Sequence, residues 1–296
     1  MTGLLDGRAV VVTGAGRGLG RAYARDLAAH GARVVVNDVD ADEAATVAAE
    51  IGGVASAHDV SDPEQVDALI ATCVDAFGRL DGLVNNAGLY HEAVPWEENP
   101  EAIRRAVSVN VIGALLCQAA ASKVMRGGAI VNASSGGMFG FPAVSTYAAT
   151  KGALAALTYS SALDLEAVGV RVNAISPMAL TRMTENALGR TSTAGSGPPL
   201  AGIEDKPPEQ IAPLVTFLLS DLAEGITGQF FRFDGHRLSI VTTNAFADHP
   251  SIVADDWNAT ALAAAFDGPF AEHLQAYGVE RRRPGRLRCR RGVSPP

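Results

Sequence analysis

Short Val- and Ile-rich runs alternate with longer segments of helical periodicity along most of the chain. "RAVVVTG" (8–14), "ARVVVND" (32–38), the weaker "GVASAHDV" (53–60), "LDGLVNNAG" (80–88), "GGAIVNASS" (127–135), "VRVNAIS" (170–176) and "GQFFRFDG" (228–235) are strand candidates. Their apolar residues are consecutive rather than alternating, which marks strands covered on both faces. Between them lie helical stretches: Leu19 to His30, "ADEAATVAAEI" (41–51), and "DPEQVDALIATCVDAFG" (62–78) with Pro63 near its start. A long one runs from about Pro100 to Met125, another from Tyr147 to Val168, and "PEQIAPLVTFLLS" (208–220) is the last of the series. This regular alternation predicts an α/β fold, a doubly wound parallel sheet of about seven strands with helices on both faces.

The pattern weakens after Gly235, so residues 1–237 read as one domain. Residues 238–280 read as a C-terminal extension packing on that domain or on a neighbouring subunit, helical around Thr260 to Phe266. Residues 281–296 are Arg-rich and predicted to be disordered. With 296 residues, 48% hydrophobic and 19% charged, the chain has the makings of an ordinary globular core. A formal net charge of -8 argues against nucleic acid as the main partner, because phosphate binding needs a basic surface. The tail "ERRRPGRLRCRRGVSPP" is the exception; any binding through it would be salt-sensitive and lost on truncation after Glu280. Three cysteines, Cys73, Cys117 and Cys289, are too few and scattered for a disulfide framework or a zinc site, and no metal is expected. The N-terminus has no signal-peptide pattern, and no uninterrupted apolar run reaches the roughly 18 residues of a spanning helix. A cytoplasmic protein without membrane association is therefore expected.

Candidate chemistry begins at "TGAGRGLG" (13–20), which follows the first strand and opens the first helix. There Gly14 suits a tight turn, Gly18 lets backbone approach a diphosphate, and Gly20 allows close helix–strand packing. The helix N-terminus from Leu19 onward would offer free N–H groups to phosphates. In that strand–turn–helix context the run predicts a Rossmann-type dinucleotide site. Asp38 ends the second strand, where a carboxylate would hold the adenosine ribose and repel a 2′-phosphate. Arg17 pulls the other way, as a cation able to bind that phosphate. Asp38 faces the 2′-position more directly, so NAD is expected in preference to NADP.

Further motifs follow in order: "HDV" with Asp59 and Val60, "NNAG" (85–88), "SVNVIG" with Asn110, and "TYAATK" with Tyr147 and Lys151. Taken with the glycine run, they make residues 5 to 237 resemble the short-chain dehydrogenase/reductase family. The resemblance implies adenine contacts at Asp59 and Val60. It implies a sheet-supporting role beside the cofactor for Asn86, Ala87 and Gly88, and nicotinamide contacts near Ile175, Pro177 and Thr181. Asn110 would hold a water in a proton relay. A looser likeness, in "GAGRGLGRAYA", "VVVND" and "TRMT", is to hydroxyacyl-CoA dehydrogenase units of multifunctional β-oxidation enzymes and their bacterial steroid- or acyl-CoA-associated relatives. A dimer or tetramer, built on the long helices and the last strand, is implied as well.

Positions i and i+4 of a helix share a face, so Tyr147 and Lys151 can point into one cleft. A free tyrosine titrates near 10. A neighbouring ammonium and a positive nicotinamide ring would lower that value and let Tyr147 exchange a proton with an alcohol. Lys151 would also hold the nicotinamide ribose, as its family counterpart does. The family's serine has two candidates. Counting back from Tyr147 gives Ser134; counting forward from "AIVN" gives Ser135, with one residue missing from the following loop. Loops shorten more easily than buried strands slip register, which favours Ser135. Met178 replaces a glycine common in the family. Apolar Met138, Phe139 and Phe141, the loop after Pro177 and the Gly/Pro-rich stretch 189–202 suit a hydrophobic secondary alcohol or ketone. The expected activity is hydride transfer between NAD(H) and such a substrate, with 3-hydroxyacyl-CoA or a hydroxysteroid in view. The alternative is a non-catalytic NAD(P)-binding redox sensor or assembly subunit.

Overall fold

A computed structural model of the chain describes residues 3–140, 143–180, 206–242 and 251–274. Among them, seven strands run parallel: β1 (Ala9–Thr13), β2 (Arg33–Asn37), β3 (Val54–Ser56), β4 (Gly82–Asn85), β5 (Gly128–Ala133), β6 (Val170–Pro177) and β7 (Gln229–Phe233). Their spatial order is β3-β2-β1-β4-β5-β6-β7. The doubly wound parallel sheet expected from the alternation is therefore present. The sheet also runs on across residue 237. Strands β8 (Arg237–Ile240) and β9 (Ser251–Val253) add to it in antiparallel fashion. Because β8 pairs with β7, the edge of the last parallel strand is occupied, and a subunit contact through that edge is not open.

The period-2 geometry of the strands sends neighbouring residues to opposite faces. In β1, Val10 and Val12 enter one core while Ala9 and Val11 enter the other. The first core is closed by α1 (Gly18–Ala29), α2 (Ala41–Ile51), α7 (Ala212–Leu219) and α8 (Ala259–Asp267), the second by α3 (Pro63–Phe77), α5 (Gly113–Val124) and α6 (Ser145–Asp164). Helix boundaries follow the caps written in the sequence. Asp40 accepts from the Glu43 N–H to start α2, and Asp62 accepts from the N–H groups of Glu64 and Gln65 to start α3, with Pro63 in its first turn. α8 belongs to the first core outright. Phe266 stacks on Phe217 at 5.2 Å and meets Phe231 and Phe270 edge-on. Losing that ring costs about 3–5 kcal/mol in comparable cores.

The long helix splits into α4 (Pro100–Val107) and α5, joined by a π turn at Ser108–Ile112. The strand order reverses between β1 and β4, and a crevice opens there at the carboxyl ends of the strands. α1, the β4 loop, α6 and the β6 end all deliver residues to it.

Candidate active site

The glycine loop is closed tightly. Gly14 has φ +61°, and a Cβ there would stand 2.8 Å from the Ala87 Cα; one on Gly20 would stand 2.1 Å from the Gly14 carbonyl. The two elements meet backbone to backbone, as close helix–strand packing requires. α1 begins at Gly18 and Leu19 after an Arg17 whose side chain makes no cap, and its first turn holds no acidic residue. The first N–H groups of the helix thus face the crevice without a protein cap. The Asp38 carboxylate accepts from the Gly16 N–H at 3.0 Å, and the Arg17 guanidinium pairs with Asp40 at 2.8 Å. The cation weighed in favour of a 2′-phosphate is therefore spent on a carboxylate beside Asp38. Asp59 accepts from the Ser61 N–H and hydroxyl, and Val60 packs into the second core under Gly113.

Asn86 donates from its side chain to the carbonyls of Thr13 and Gly14, while the N–H groups of Asn86 and Ala87 donate to the Thr13 hydroxyl. The end of β4 is thereby stitched to the glycine loop. A Cβ on Gly88 would lie 3.4 Å from both Asn110 Oδ1 and Lys151 Nζ, which places that glycine between the two side chains. Asn110 is fully buried in the π turn. Its Nδ2 donates to the Leu89 carbonyl at 2.8 Å and to the Thr150 hydroxyl at 3.0 Å, and its Oδ1 accepts from the Leu89 N–H at 2.7 Å. Both amide hydrogens are used inside the protein, so only a second lone pair on Oδ1 is left for a water.

Tyr147 and Lys151 sit one turn apart on α6 and face the same crevice. Lys151 Nζ lies 5.7 Å from the centre of the Tyr147 ring and donates to the Ala133 carbonyl at 2.7 Å. Burial lowers the Lys151 pKa from its ordinary 10.5 to about 8. The two serines have different surroundings. Ser134 is buried and donates to the Lys151 carbonyl at 2.7 Å, which ties β5 to α6. Ser135 lies beside Tyr147, since a Cβ on Gly137 would stand 3.3 Å from its Oγ and 3.4 Å from Tyr147 Cε1, and its hydroxyl accepts from the Gly137 N–H at 3.0 Å.

The protein alone does not lower the Tyr147 pKa. Burial raises it, and the neighbouring Ser135 hydroxyl offsets that only in part. The expected lowering fails here because the Lys151 ammonium is directed at the Ala133 carbonyl and stands 5.7 Å from the ring centre. The positive charge of an oxidised nicotinamide would have to supply the rest.

Residues 14–235 match the family model described as enoyl-(acyl carrier protein) reductase. The chain belongs to the short-chain dehydrogenase/reductase family. It is 39% identical over 243 residues to a 3-oxoacyl-(acyl-carrier-protein) reductase of Synechocystis, covering 78% of this chain and 97% of that protein. It is 35% identical over 289 residues to the hydroxyacyl-CoA dehydrogenase ChsB1 of Mycobacterium tuberculosis, covering 90% of each. Among solved structures, 3-ketoacyl-(acyl-carrier-protein) reductase from Brucella melitensis complexed with NADH superposes with a TM-score of 0.71 and 31% identity, covering 78% of this chain and 98% of that one. The chain is thus an NAD(P)-dependent oxidoreductase acting on CH–OH and keto groups.

Other positions of the family motif are less exposed than expected. The Ile175 side chain is fully buried in the first core, so it offers the crevice only backbone. Pro177 ends β6, and the Met178 N–H donates to the Phe233 carbonyl at 2.9 Å. Met138 is partly buried and Phe139 exposed near the site. Thr181, Phe141 and residues 189–202 lie outside the described residues.

Sequence reading missed the loop that follows Gly88. Tyr90 meets the Tyr147 ring edge-on at 5.0 Å. His91 Nε2 lies 2.6 Å from Glu98, whose other oxygen accepts from the Thr146 hydroxyl at 2.6 Å. Those contacts, with the Thr146 hydrogen bond foremost, hold the Glu98 carboxyl below its usual range. The loop is pinned by Asn110 at one end and by the residue preceding Tyr147 at the other. The only available signal was an aromatic and two titratable residues placed directly after "NNAG".

Proposed function

We propose that this chain interconverts a hydrophobic secondary alcohol and its ketone with NAD in preference to NADP. The observation that carries the reading is the gathering of Ser135, Tyr147 and a buried Lys151 at one crevice, with no carboxylate paired to Lys151 among the described residues. Bound NAD(H) would accept or supply the hydride. It would lie with its diphosphate on the uncapped start of α1 and its adenosine ribose at Asp38. Ser135 orients the substrate oxygen, and Tyr147 takes its proton in the oxidative direction or returns it in reduction. Lys151 binds the nicotinamide ribose, and the positive ring of the oxidised cofactor would favour the phenolate. Asn110 acts by fixing Leu89 and Thr150, which hold the walls of the site. Asp38 and Asp40 together make the ribose end of the crevice hostile to a 2′-phosphate, since Arg17 is already neutralised.

The substrate class is inferred from apolar Met138 and Phe139 beside the site and from the relatives' names: a 3-hydroxyacyl thioester or a hydroxysteroid. An NAD-linked screen of hydroxyacyl-CoA, steroid and terpene alcohols tests it. Tyr147→Phe should reduce turnover by about 10²–10⁴-fold and leave NAD binding in place. No turnover by the wild type on that panel would overturn the reading, and equal kcat/KM with NADP would overturn the cofactor preference. Self-association is proposed through the α5 face, where Ile112, Leu115 and Val124 are exposed. Light scattering on Ile112→Lys/Leu115→Lys, still assembled as wild type is, would refute that.

A further inference from the structure

Beyond Ser135 the sheet carries a second polar feature. The Gly136 N–H donates to the Ser176 hydroxyl at 2.8 Å, and Ser176 is paired in register with Arg232 of β7. Arg232 is paired with Ser239 of β8, and Ser239 with Ser251 of β9. Residues directly opposite each other on adjacent strands share a face, and so do residues two apart on one strand. Ser176, Arg232, Ser239, Ser251 and Arg237 therefore project from one face of the sheet. They form a row of hydroxyl and guanidinium donors leading away from the serine that touches Tyr147.

That face lines a cavity of about 670 Å³, bounded on the other side by Gly136, Phe139 and Met178. Neither guanidinium has an ion-pair partner among the described residues. Arg232 lies against Met178 Sδ at 2.8 and 3.1 Å, and a thioether is a weak acceptor. Asp234 also reaches the cavity, but its charge is already committed to Lys206 and to the N–H groups of His236 and Arg237. The cavity thus joins an apolar wall near the reacting residues to two uncompensated cations farther out.

We propose that this cavity binds an anionic group of the substrate, a carboxylate or a phosphate, through Arg232 and Arg237 with Ser239 and Ser251 as supporting donors. The proposal rests on the reading above in taking Ser135 and Tyr147 to mark the reacting carbon. Strands lie about 4.8 Å apart, so Ser239 is two spacings, about 10 Å, from Ser176. The preferred substrate is an amphipathic alcohol or ketone whose acidic group projects from the reacting carbon along this row, toward β7 and β8.

The test is calorimetric binding of octanol, octanoate and octyl phosphate to the full chain. Wild type should bind at least one of the two anions about tenfold more tightly than octanol, as charge-assisted hydrogen bonds to guanidinium allow. The tighter anion identifies carboxylate or phosphate as the source. In the double variant Arg232→Gln/Arg237→Gln the preference should vanish, and in Arg232→Lys/Arg237→Lys most of it should remain. Should the glutamine variant not fold, added salt should weaken the anions but not octanol in wild type. Equal binding of all three ligands by wild type, or a preference that survives the glutamine substitutions or ignores salt, overturns the proposal. Tyr147→Phe should keep the preference, so a failure of the catalytic reading would show in turnover and not in this measurement.

Discussion

Lys151 and Arg171 are the two buried cations among the described residues, and they sit at opposite ends of the same strands. Arg171 lies near the start of β6, in register with Ala129 of β5; Lys151 reaches the Ala133 carbonyl at the other end of β5. Both are desolvated, and burial lowers both pKa values, to about 10 for Arg171 and about 8 for Lys151. Their neighbours differ. Arg171 donates to the Ser220 carbonyl at 3.0 Å, and although Arg8 repels it, Asp221 and Glu224 support its charge. Among the described residues, Lys151 has one carbonyl and no carboxylate. The first cation is settled by its own fold. The second has no carboxylate beside it among the described residues and lies at the end of the sheet where the proposed cofactor would sit, so its charge stays available to that cofactor's ribose.

If this contrast is right, the two residues should fail differently when removed. Lys151→Met should lower kcat/KM by about 10²–10³-fold, while moving the urea-unfolding free energy of the cofactor-free protein by less than about 1 kcal/mol, since the lost hydrogen bond is offset by relief of a buried charge. Arg171→Leu should do the reverse. Its loss leaves the buried Ser220 carbonyl without its guanidinium donor and opens a void between β6 and that carbonyl, and unfolding should become easier by about 3 kcal/mol with KM unchanged. A Lys151 variant that unfolds easily, or an Arg171 variant that is folded but inactive, would break the contrast.

Much of this arrangement could be read from the chain, and the reasons for the gaps are local. The glycine run, the Asp40 and Asp62 caps and the Tyr147–Lys151 spacing are short-range signals, written within a turn or two of where they act. The direction of the two serines is not such a signal. Ser134 and Ser135 straddle the point where β5 gives way to a tight turn, and only that turn decides which hydroxyl meets Tyr147. The Glu98–Thr146 contact joins residues 48 apart, and the row from Ser176 to Ser251 exists only once four strands are in register. The last two strands were missed because they are short: β8 alternates Arg237 and Ser239 with Leu238 and Ile240 in place of a Val/Ile run, and β9 is only Ser251–Val253.

The pH dependence of stability sharpens the comparison further. Between about pH 8 and Lys151's ordinary 10.5, the unfolded chain holds a proton that the folded protein has lost. Stability must then rise with pH across that window. From pH 8 to 10 the cofactor-free wild type should gain about 2 kcal/mol relative to Lys151→Met, read from paired urea titrations. A flat difference would mean that Lys151 is hydrated in solution and that its contrast with Arg171 is one of geometry alone.

The smallest effect concerns Ser134, whose hydroxyl is directed at the Lys151 carbonyl and away from Tyr147. Its replacement by Ala leaves that carbonyl without the Ser134 hydrogen bond, which should cost about 1 kcal/mol in unfolding free energy. Because the lost group only ties β5 to α6, kcat should fall little. Ser135→Ala, by contrast, removes the hydroxyl beside Tyr147 and should lower kcat by about 10²-fold, in the range of other groups that stabilise a reacting oxygen. Should Ser134→Ala prove the more damaging to kcat, the seat of Lys151 would matter more to turnover than the hydroxyl beside Tyr147, and the two serines would exchange roles.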